Sequence, residues 1–168
     1  MSKFTERLAR ILPKNKLGDD VVAYIGFLQT HRRFPLAKRR LINDELYGVK
    51  TSTEIENPLR VLTTDKEYVK NYVKATVGNK HNVETIEILR SKKDIDDYEF
   101  PKRCCIKPTH TSGNFIIRKD GEDLPLEDIK GWLDLNYYDI SRERNYKNLI
   151  PKIIVEPLVF ESENIEDF

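Results

Sequence analysis

The chain has 168 residues, of which 39% are hydrophobic and 34% are charged, a composition that excludes an intrinsically disordered protein. The formal net charge of +1 argues against a dedicated nucleic-acid binder, because such proteins are usually strongly basic. The apolar stretch 21–28 falls far short of the ~20 residues that span a bilayer, and it does not resemble a signal peptide. The adjacent Cys104 and Cys105 rarely fit disulfide geometry, which predicts reduced thiols in a cytoplasmic protein.

The first predicted helix lies at the N-terminus. Phe4, Leu8, Ile11 and Leu12 fall on one helical face, and Lys and Arg residues surround them. Two interpretations remain open for this basic amphipathic helix. It packs on its own domain, or residues 1–16 contact a membrane surface.

Two further helices are predicted before residue 80. The first covers residues 21–33 and ends before Pro35. Residues 31–40 (HRRFPLAKRR) follow it as an anion-binding patch or, alternatively, as a solvated basic face. The second begins with the capping-box pattern of Thr64–Glu67 and ends at Gly78.

The pattern then changes to short strands. Residues 84–90 alternate between polar and apolar side chains as in a half-buried strand, and residues 104–107 and 115–118 are compact apolar runs. A turn is predicted at residues 120–121, a helix at residues 126–133 and a strand rich in β-branched residues at 152–160. The predicted fold is therefore α+β. A mainly helical region (1–80) precedes a small lobe (81–160) of strand, strand, loop, strand, helix and strand, and an acidic tail (161–168) follows.

Lys107 stands at the end of one apolar run, immediately before a loop of small residues. An ammonium on a fixed strand suits phosphate oxygens, and Gly113 lets backbone N–H groups and the Ser112 hydroxyl approach the same anion. The side chains of Thr109, Thr111 and Asn114 add further donors. The pattern predicts a hairpin loop over a phosphate chain, although an ordinary hairpin with an exposed Lys fits equally well. Neither GxxxxGK[ST] nor GxGxxG is present, and a lone His110 is more typical of a structural residue than of a catalyst.

Two long stretches carry a family resemblance. IKPTHTSGNFII (106–117) and GWLDLNYYDISRERNYKNLIPKIIVEPLV (131–159), together with RRFPL (32–36) and TDKEYVKNYV (64–73), resemble the first lobe of the TupA-like ATP-grasp proteins. That family is associated with teichuronopeptide and other cell-surface polysaccharide synthesis. The resemblance implies the small antiparallel-sheet lobe of an ATP-grasp fold, with ATP held between this lobe and a second one.

The resemblance also implies site residues. Lys107 would contact the α- or β-phosphate of ATP, and Glu156 with the backbone of Leu158 or Val159 would face the adenine. A strand edge offers the N–H and C=O that match adenine's edge. The phosphate-covering loop would consist of His110, Thr111, Ser112, Gly113 and Asn114.

The stretch SRERNYKN (141–148) also matches the family. Its Arg142, Arg144 and Lys147 are expected to meet an acidic substrate or the γ-phosphate, or alternatively to form a charged surface loop. Glu161 or Glu163 would reach the ribose hydroxyls. Asp65 and Lys66 match the family too, but a capped helix already explains them, so they receive no chemical role.

The implied activity is that of an ATP-dependent carboxylate–amine ligase acting on an acidic saccharide or peptide. Mg²⁺ would be ligated by residues outside this chain, since the family continues into a larger lobe, and the chain alone is expected to be inactive. Two alternatives are a non-catalytic nucleotide- or polyanion-binding module and a transferase of the same pathway. The sequence leaves open whether the chain is a piece of a longer enzyme or a short protein without the second lobe.

Overall fold

The computed structural model describes residues 3–36, 38 and 41–159. The chain divides into two compact units, which we call the helical unit (Met1–Asp65 with Asn136–Leu149) and the sheet unit (Lys66–Leu135 with Ile150–Phe168). The sequence pattern predicts a boundary at residue 80, whereas the units divide between Asp65 and Lys66. Residues 136–149, which the sequence pattern places in the small lobe, belong to the helical unit.

The helical unit contains five α-helices and two 3-10 turns among its described residues. They are α1 (Lys3–Ile11), α2 (Lys16–His31), α3 (Ile42–Thr51), a 3-10 turn (Thr53–Glu56), α4 (Pro58–Thr64), α8 (Tyr138–Ser141) and a second 3-10 turn (Arg144–Tyr146). Helix α2 begins where the Asn15 side chain accepts a hydrogen bond from the Gly18 amide. It ends at Arg32, whose φ of 54° is left-handed, so the predicted stop before Pro35 is confirmed.

Helix α1 packs through its small residues together with part of the predicted apolar face, Leu8 and Leu12, which are half-buried. Thr5 and Ala9 are buried, whereas Phe4 and Ile11 are 57% and 69% exposed. The Thr5 hydroxyl donates to Gln29 Oε1 at 2.6 Å, which ties α1 to α2. A small-residue face allows the two helices to approach closely. The prediction of the buried face therefore holds for Leu8 and Leu12 and is wrong for Phe4 and Ile11.

The sheet unit contains three α-helices, a 3-10 turn and four strands among its described residues. They are α5 (Tyr68–Val77), a 3-10 turn (Asn79–His81), β1 (Glu87–Leu89), α6 (Lys92–Asp97), β2 (Cys104–Pro108), β3 (Ile116–Arg118), α7 (Leu126–Trp132) and β4 (Ile153–Glu156). The strand order is β1-β4-β2-β3, and every pairing is antiparallel. The predicted α+β class with a small antiparallel sheet is confirmed.

Strand β4 occupies the interior of the sheet, and all four of its residues are buried. Its β-branched residues suit that position. The strand stops before Pro157, which has no amide hydrogen for the ladder. The core on one face of the sheet consists of Leu89, Ile95, Phe100, Cys104, Ile106, Ile129, Ile153 and Val155.

The predicted capping box at Thr64 is wrong. Asn57 and Pro58 start α4 earlier, Thr64 is the last residue of that helix, and α5 begins only at Tyr68. A complete capping box instead begins α6: the Ser91 side chain accepts a hydrogen bond from the Asp94 amide, and the Asp94 side chain accepts one from the Ser91 amide. The sequence analysis did not predict that six-residue helix.

Candidate functional site

The hairpin of β2 and β3 carries the predicted phosphate loop. Cys104 pairs with Arg118 and Ile106 with Ile116, so residues 109–115 connect the two strands. Burial alternates along β2: Cys104, Ile106 and Pro108 face the core, and Lys107 lies on the opposite face. Strand β2 pairs with both β3 and β4, and Lys107 itself is paired with Ile154 of β4.

The Lys107 ammonium forms an ion pair with Glu156. Its Nζ lies 2.5 Å from Glu156 Oε2, and the lysine side chain is 28% exposed. The other carboxylate oxygen, Oε1, pairs with the ammonium of Lys70 from α5. The Glu156 side chain is only 5% exposed, so one buried carboxylate joins two cations at the end of β4.

A second ion cluster surrounds Glu67. Arg90 Nη2 lies 2.7 Å from Glu67 Oε1, and the buried Lys152 ammonium pairs with Oε2 and lies 4.0 Å from the Tyr68 ring centroid. Burial alone would raise the pKa of Glu67, but hydrogen bonds from Arg90 and Lys152 outweigh it and hold the pKa below its ordinary value. Together the two clusters contain four cations and two carboxylates.

The first half of the loop is fixed by hydrogen bonds. Lys66 Nζ donates to the carbonyl oxygens of Pro108, at 2.9 Å, and of Thr111, while its amide donates to Thr109 O at 3.1 Å. His110 Nε2 lies 3.2 Å from Leu135 O, which favours the tautomer protonated at Nε2. Thr109, His110 and Thr111 are all buried as a result.

The second half of the loop faces solvent. Ser112 and Gly113 are exposed, and Asn114 is half-buried. Gly113 has a φ of 88°, a conformation that side chains disfavour, so the glycine is required by the turn. The loop residues available to a ligand are therefore Ser112 to Asn114 rather than the whole predicted set.

The chain beyond Glu156 leaves the sheet. Leu158 is half-buried, and Val159 is 59% exposed. Both residues follow directly on β4, which ends at Glu156. Glu161 and Glu163 lie outside the described residues.

The three predicted substrate cations belong to the helical unit, and each has a partner there. The Lys147 ammonium lies 5.4 Å from the centroid of the Tyr138 ring. Arg142 is buried and donates from Nε to Asp19 Oδ1 at 2.8 Å, and its other nitrogens reach the carbonyls of Ala9, Leu12 and Pro13. Arg144 is also buried, and its Nη2 donates to Ser52 O at 2.6 Å. Lys147 is exposed.

The two cysteines are free thiols, Cys104 buried and Cys105 half-buried. Burial raises the pKa of both thiols, and the neighbouring cations Arg118 and Lys107 only partly oppose it. A raised thiol pKa keeps both groups protonated and weakly nucleophilic near neutral pH.

Sequence reasoning missed the charged residues of the two ion clusters. Lys70 joins Lys107 on Glu156, and Arg90 and Lys152 pair with Glu67. A signal was present in DKEYVK, residues 65–70, where Glu67 and Lys70 flank two apolar residues. Their partners remained out of reach because Arg90, Lys152 and Glu156 are distant in the sequence.

The family model described as TupA-like ATPgrasp matches residues 46–167, which is more than half of the chain. The protein is therefore of the ATP-grasp class, and within that class the chain belongs to the TupA-like family. No curated protein and no solved structure matches it.

No group of three or more His, Cys, Asp or Glu side chains among the described residues is placed to hold a metal ion. Side chains alone therefore form no metal site in that part of the chain. Within the same residues, no helix combines the length and apolar character needed to cross a bilayer.

Proposed function

We propose that the sheet unit binds the phosphates of ATP through Lys107 and the loop residues Ser112, Gly113 and Asn114. The observation that carries the proposal is the Lys107 ammonium. It projects from a strand held on both sides, it is partly exposed, and its ion-pair partner Glu156 is shared with a second cation. An anion that takes over Lys107 therefore leaves Glu156 with Lys70.

The family supports a particular chemistry for this site. In an ATP-grasp ligase, a carboxylate oxygen attacks the γ-phosphorus of ATP and ADP leaves, which gives an acyl phosphate. An amine then attacks the acyl carbon and inorganic phosphate leaves. Within this chain, Lys107 and the loop orient and neutralise phosphate oxygens, a positional and electrostatic contribution. Glu156 and the backbone of Leu158 or Val159 would face the adenine.

We further propose a cytoplasmic role in cell-surface polysaccharide biosynthesis, with an acidic saccharide or peptide as the carboxylate substrate. The family resemblance supports the pathway. Of the three cations predicted for this substrate, Lys147 remains the candidate, because it is an exposed residue whereas Arg142 and Arg144 are buried. Arg142 and Arg144 have buried partners, so the proposal gives them a structural part.

The nucleotide proposal is tested by titrating the full chain with ATP, with and without Mg²⁺, by calorimetry. A hydrogen bond to a charged group contributes about 1.5–3 kcal/mol. Lys107→Met should therefore weaken ATP binding roughly tenfold or more. Lys119→Met is the matched control, because Lys119 lies at the other end of the same hairpin and is exposed. Equal affinities for Lys107→Met and the wild type would refute the phosphate role.

An assay of ADP release separates the ligase from a non-catalytic binding module. A module binds ATP without turning it over under any combination of acid and amine. For the ligase we expect ADP release that depends on a carboxylate substrate, measured by a coupled ADP assay on the protein with all of its domains.

A second proposal concerns α1, which we propose contacts an anionic membrane surface. Its exposed Phe4 and Ile11 and its exposed Arg7 and Arg10 combine apolar and cationic groups on one short helix. Sedimentation with phosphatidylserine vesicles should fall for the Phe4→Ser/Ile11→Ser variant. Unchanged sedimentation would refute the contact, and phosphatidylcholine vesicles provide the charge control.

A further inference from the structure

The Lys70 ammonium is fully engaged. It donates to Val83 O and to Thr85 Oγ1, both at 2.8 Å, and it pairs with Glu156 Oε1. These three acceptors match the three hydrogens of an ammonium group. Its side chain is 18% exposed, and α5 holds its backbone. The position of this cation is therefore fixed.

Glu156 depends on that cation. The carboxylate is nearly buried, and its two oxygens meet Lys70 and Lys107. A buried carboxylate without a positive partner is costly, so at least one of the two cations must stay with it. Of the two, Lys107 is the more exposed, and it lies next to the candidate phosphate loop.

We infer that Lys70 is a positioning residue for nucleotide binding: it keeps Glu156 neutralised and in place, so that Lys107 can transfer from this carboxylate to a phosphate. The inference rests on the proposed ATP binding and adds a residue to which the sequence analysis gave no role. The inference gives the two lysines different roles. Lys70 stays on Glu156, and Lys107 exchanges its partner.

A definite consequence follows when Lys70 is removed. In Lys70→Met, Lys107 becomes the cation that neutralises Glu156 at this position. Transfer of Lys107 to a phosphate would then strand a buried carboxylate, so phosphate binding is opposed although Lys107 itself is intact. Replacing Glu156 by the neutral Gln removes this cost of moving Lys107 to a phosphate, since a neutral amide does not need a cation.

The competing explanation is that Lys70 only holds the neighbouring residues 82–85 against α5. Its bonds to Val83 and Thr85, with the bond from Asn82 Nδ2 to Lys70 O at 2.9 Å, hold residues 82–85 against that helix. If Lys70 acts only in this way, a substitution at Glu156 does not restore the affinity that Lys70→Met has lost. The double variant Lys70→Met/Glu156→Gln therefore distinguishes the two explanations.

The experiment measures the dissociation constants of ATP and of inorganic triphosphate by calorimetry on the full chain. Four proteins are compared with the wild type: Lys70→Met, Glu156→Gln, the double variant and Lys74→Met. Lys74 is an exposed lysine on the same helix and serves as the matched control. Far-UV circular dichroism establishes that each variant is folded.

We expect Lys70→Met to bind both probes about tenfold more weakly, as the loss of one charged partner predicts. The double variant should bind within about threefold of Glu156→Gln, because two sites that act through one pair are non-additive. If Lys70→Met causes the same loss of affinity in the Glu156→Gln background, Lys70 only holds residues 82–85 against α5 and the inference fails. Wild-type affinity in Lys70→Met would also overturn it.

The proposed function fails in a different way. If the wild-type chain binds neither ATP nor triphosphate, the nucleotide proposal is refuted and the inference falls with it. If the wild type binds and Lys107→Met weakens binding while Lys70→Met does not, only the inference is refuted.

Discussion

The substitution Asp19→Asn tests whether Arg142 belongs to the framework of the helical unit. The Arg142 side chain is fully buried, Asp19 is 5% exposed, and the Tyr138 hydroxyl lies 3.0 Å from both oxygens of that carboxylate. Arg142 also has a φ of 58°, a left-handed conformation that is uncommon outside glycine. A backbone held in that state by buried bonds indicates that the surrounding fold depends on them.

The expected cost follows from the burial of the pair. Asparagine keeps the shape of aspartate but leaves the guanidinium charge buried without a counter-ion, which costs about 3–5 kcal/mol. That is a large part of the ~5–15 kcal/mol by which domains are stable. Urea unfolding followed by far-UV circular dichroism measures the loss. The fluorescence of Trp132, the single tryptophan, reports on the sheet unit in the same experiment.

The matched control is Asp139→Asn. Asp139 lies next to Tyr138 and pairs with Lys14 at 2.6 Å, but both side chains are about half exposed. Such a pair contributes roughly 0–1 kcal/mol. If Asp19→Asn costs no more than Asp139→Asn, the buried pair does not stabilise the unit, and Arg142 becomes available again as a substrate residue.

Three further substitutions test other parts of the fold. Gly18→Ala should lower the free energy of unfolding by about 1–3 kcal/mol in urea, because the new Cβ would overlap the backbone carbonyl of Pro13; an unchanged midpoint would contradict this packing. Ser91→Ala removes the hydroxyl that accepts from the Asp94 amide, so we expect a loss of about 1 kcal/mol and a lower melting temperature, and no loss would refute the cap. Burial, with the bond to Asp19, raises the pKa of Tyr138 from 10.0 to about 12. The unfolded chain therefore loses this proton first, and stability should fall as pH rises from 10 to 12; Tyr138→Phe should flatten that fall in urea titrations at each pH, and an identical slope would show that Tyr138 does not cause it.

The hairpin around Lys107 was predictable because its signals are local. Two apolar runs separated by a short loop with glycine specify two strands and their turn, and the structure places β2 and β3 there. The same holds for α7 and for the turn at Gly121, whose φ is 82°. In each case the pattern and the structure depend on residues within about ten positions of one another.

The charged partners of Lys107 were not predictable, because strand order brings them together. Glu156 reaches Lys107 since β4 pairs with β2, although the two residues lie far apart in the chain. From the local sequence alone, charged residues at a strand end or on a helix are predicted to be solvated, and no periodic pattern indicates which of them form pairs. For the same reason the burial of Arg142 could not be foreseen from SRERNYKN, which has the composition of a surface loop.

The sequence by itself determined the class of the fold, the positions of most strands, the family and the lysine at the end of β2. Each of these depends on hydrophobic spacing, turn residues or motif, which are properties of short segments. Only the tertiary structure decided which side of α1 is buried, which half of the loop is exposed and which cations share a carboxylate. Those features depend on contacts between segments distant in the chain, where packing and the cost of burying charge select the partners.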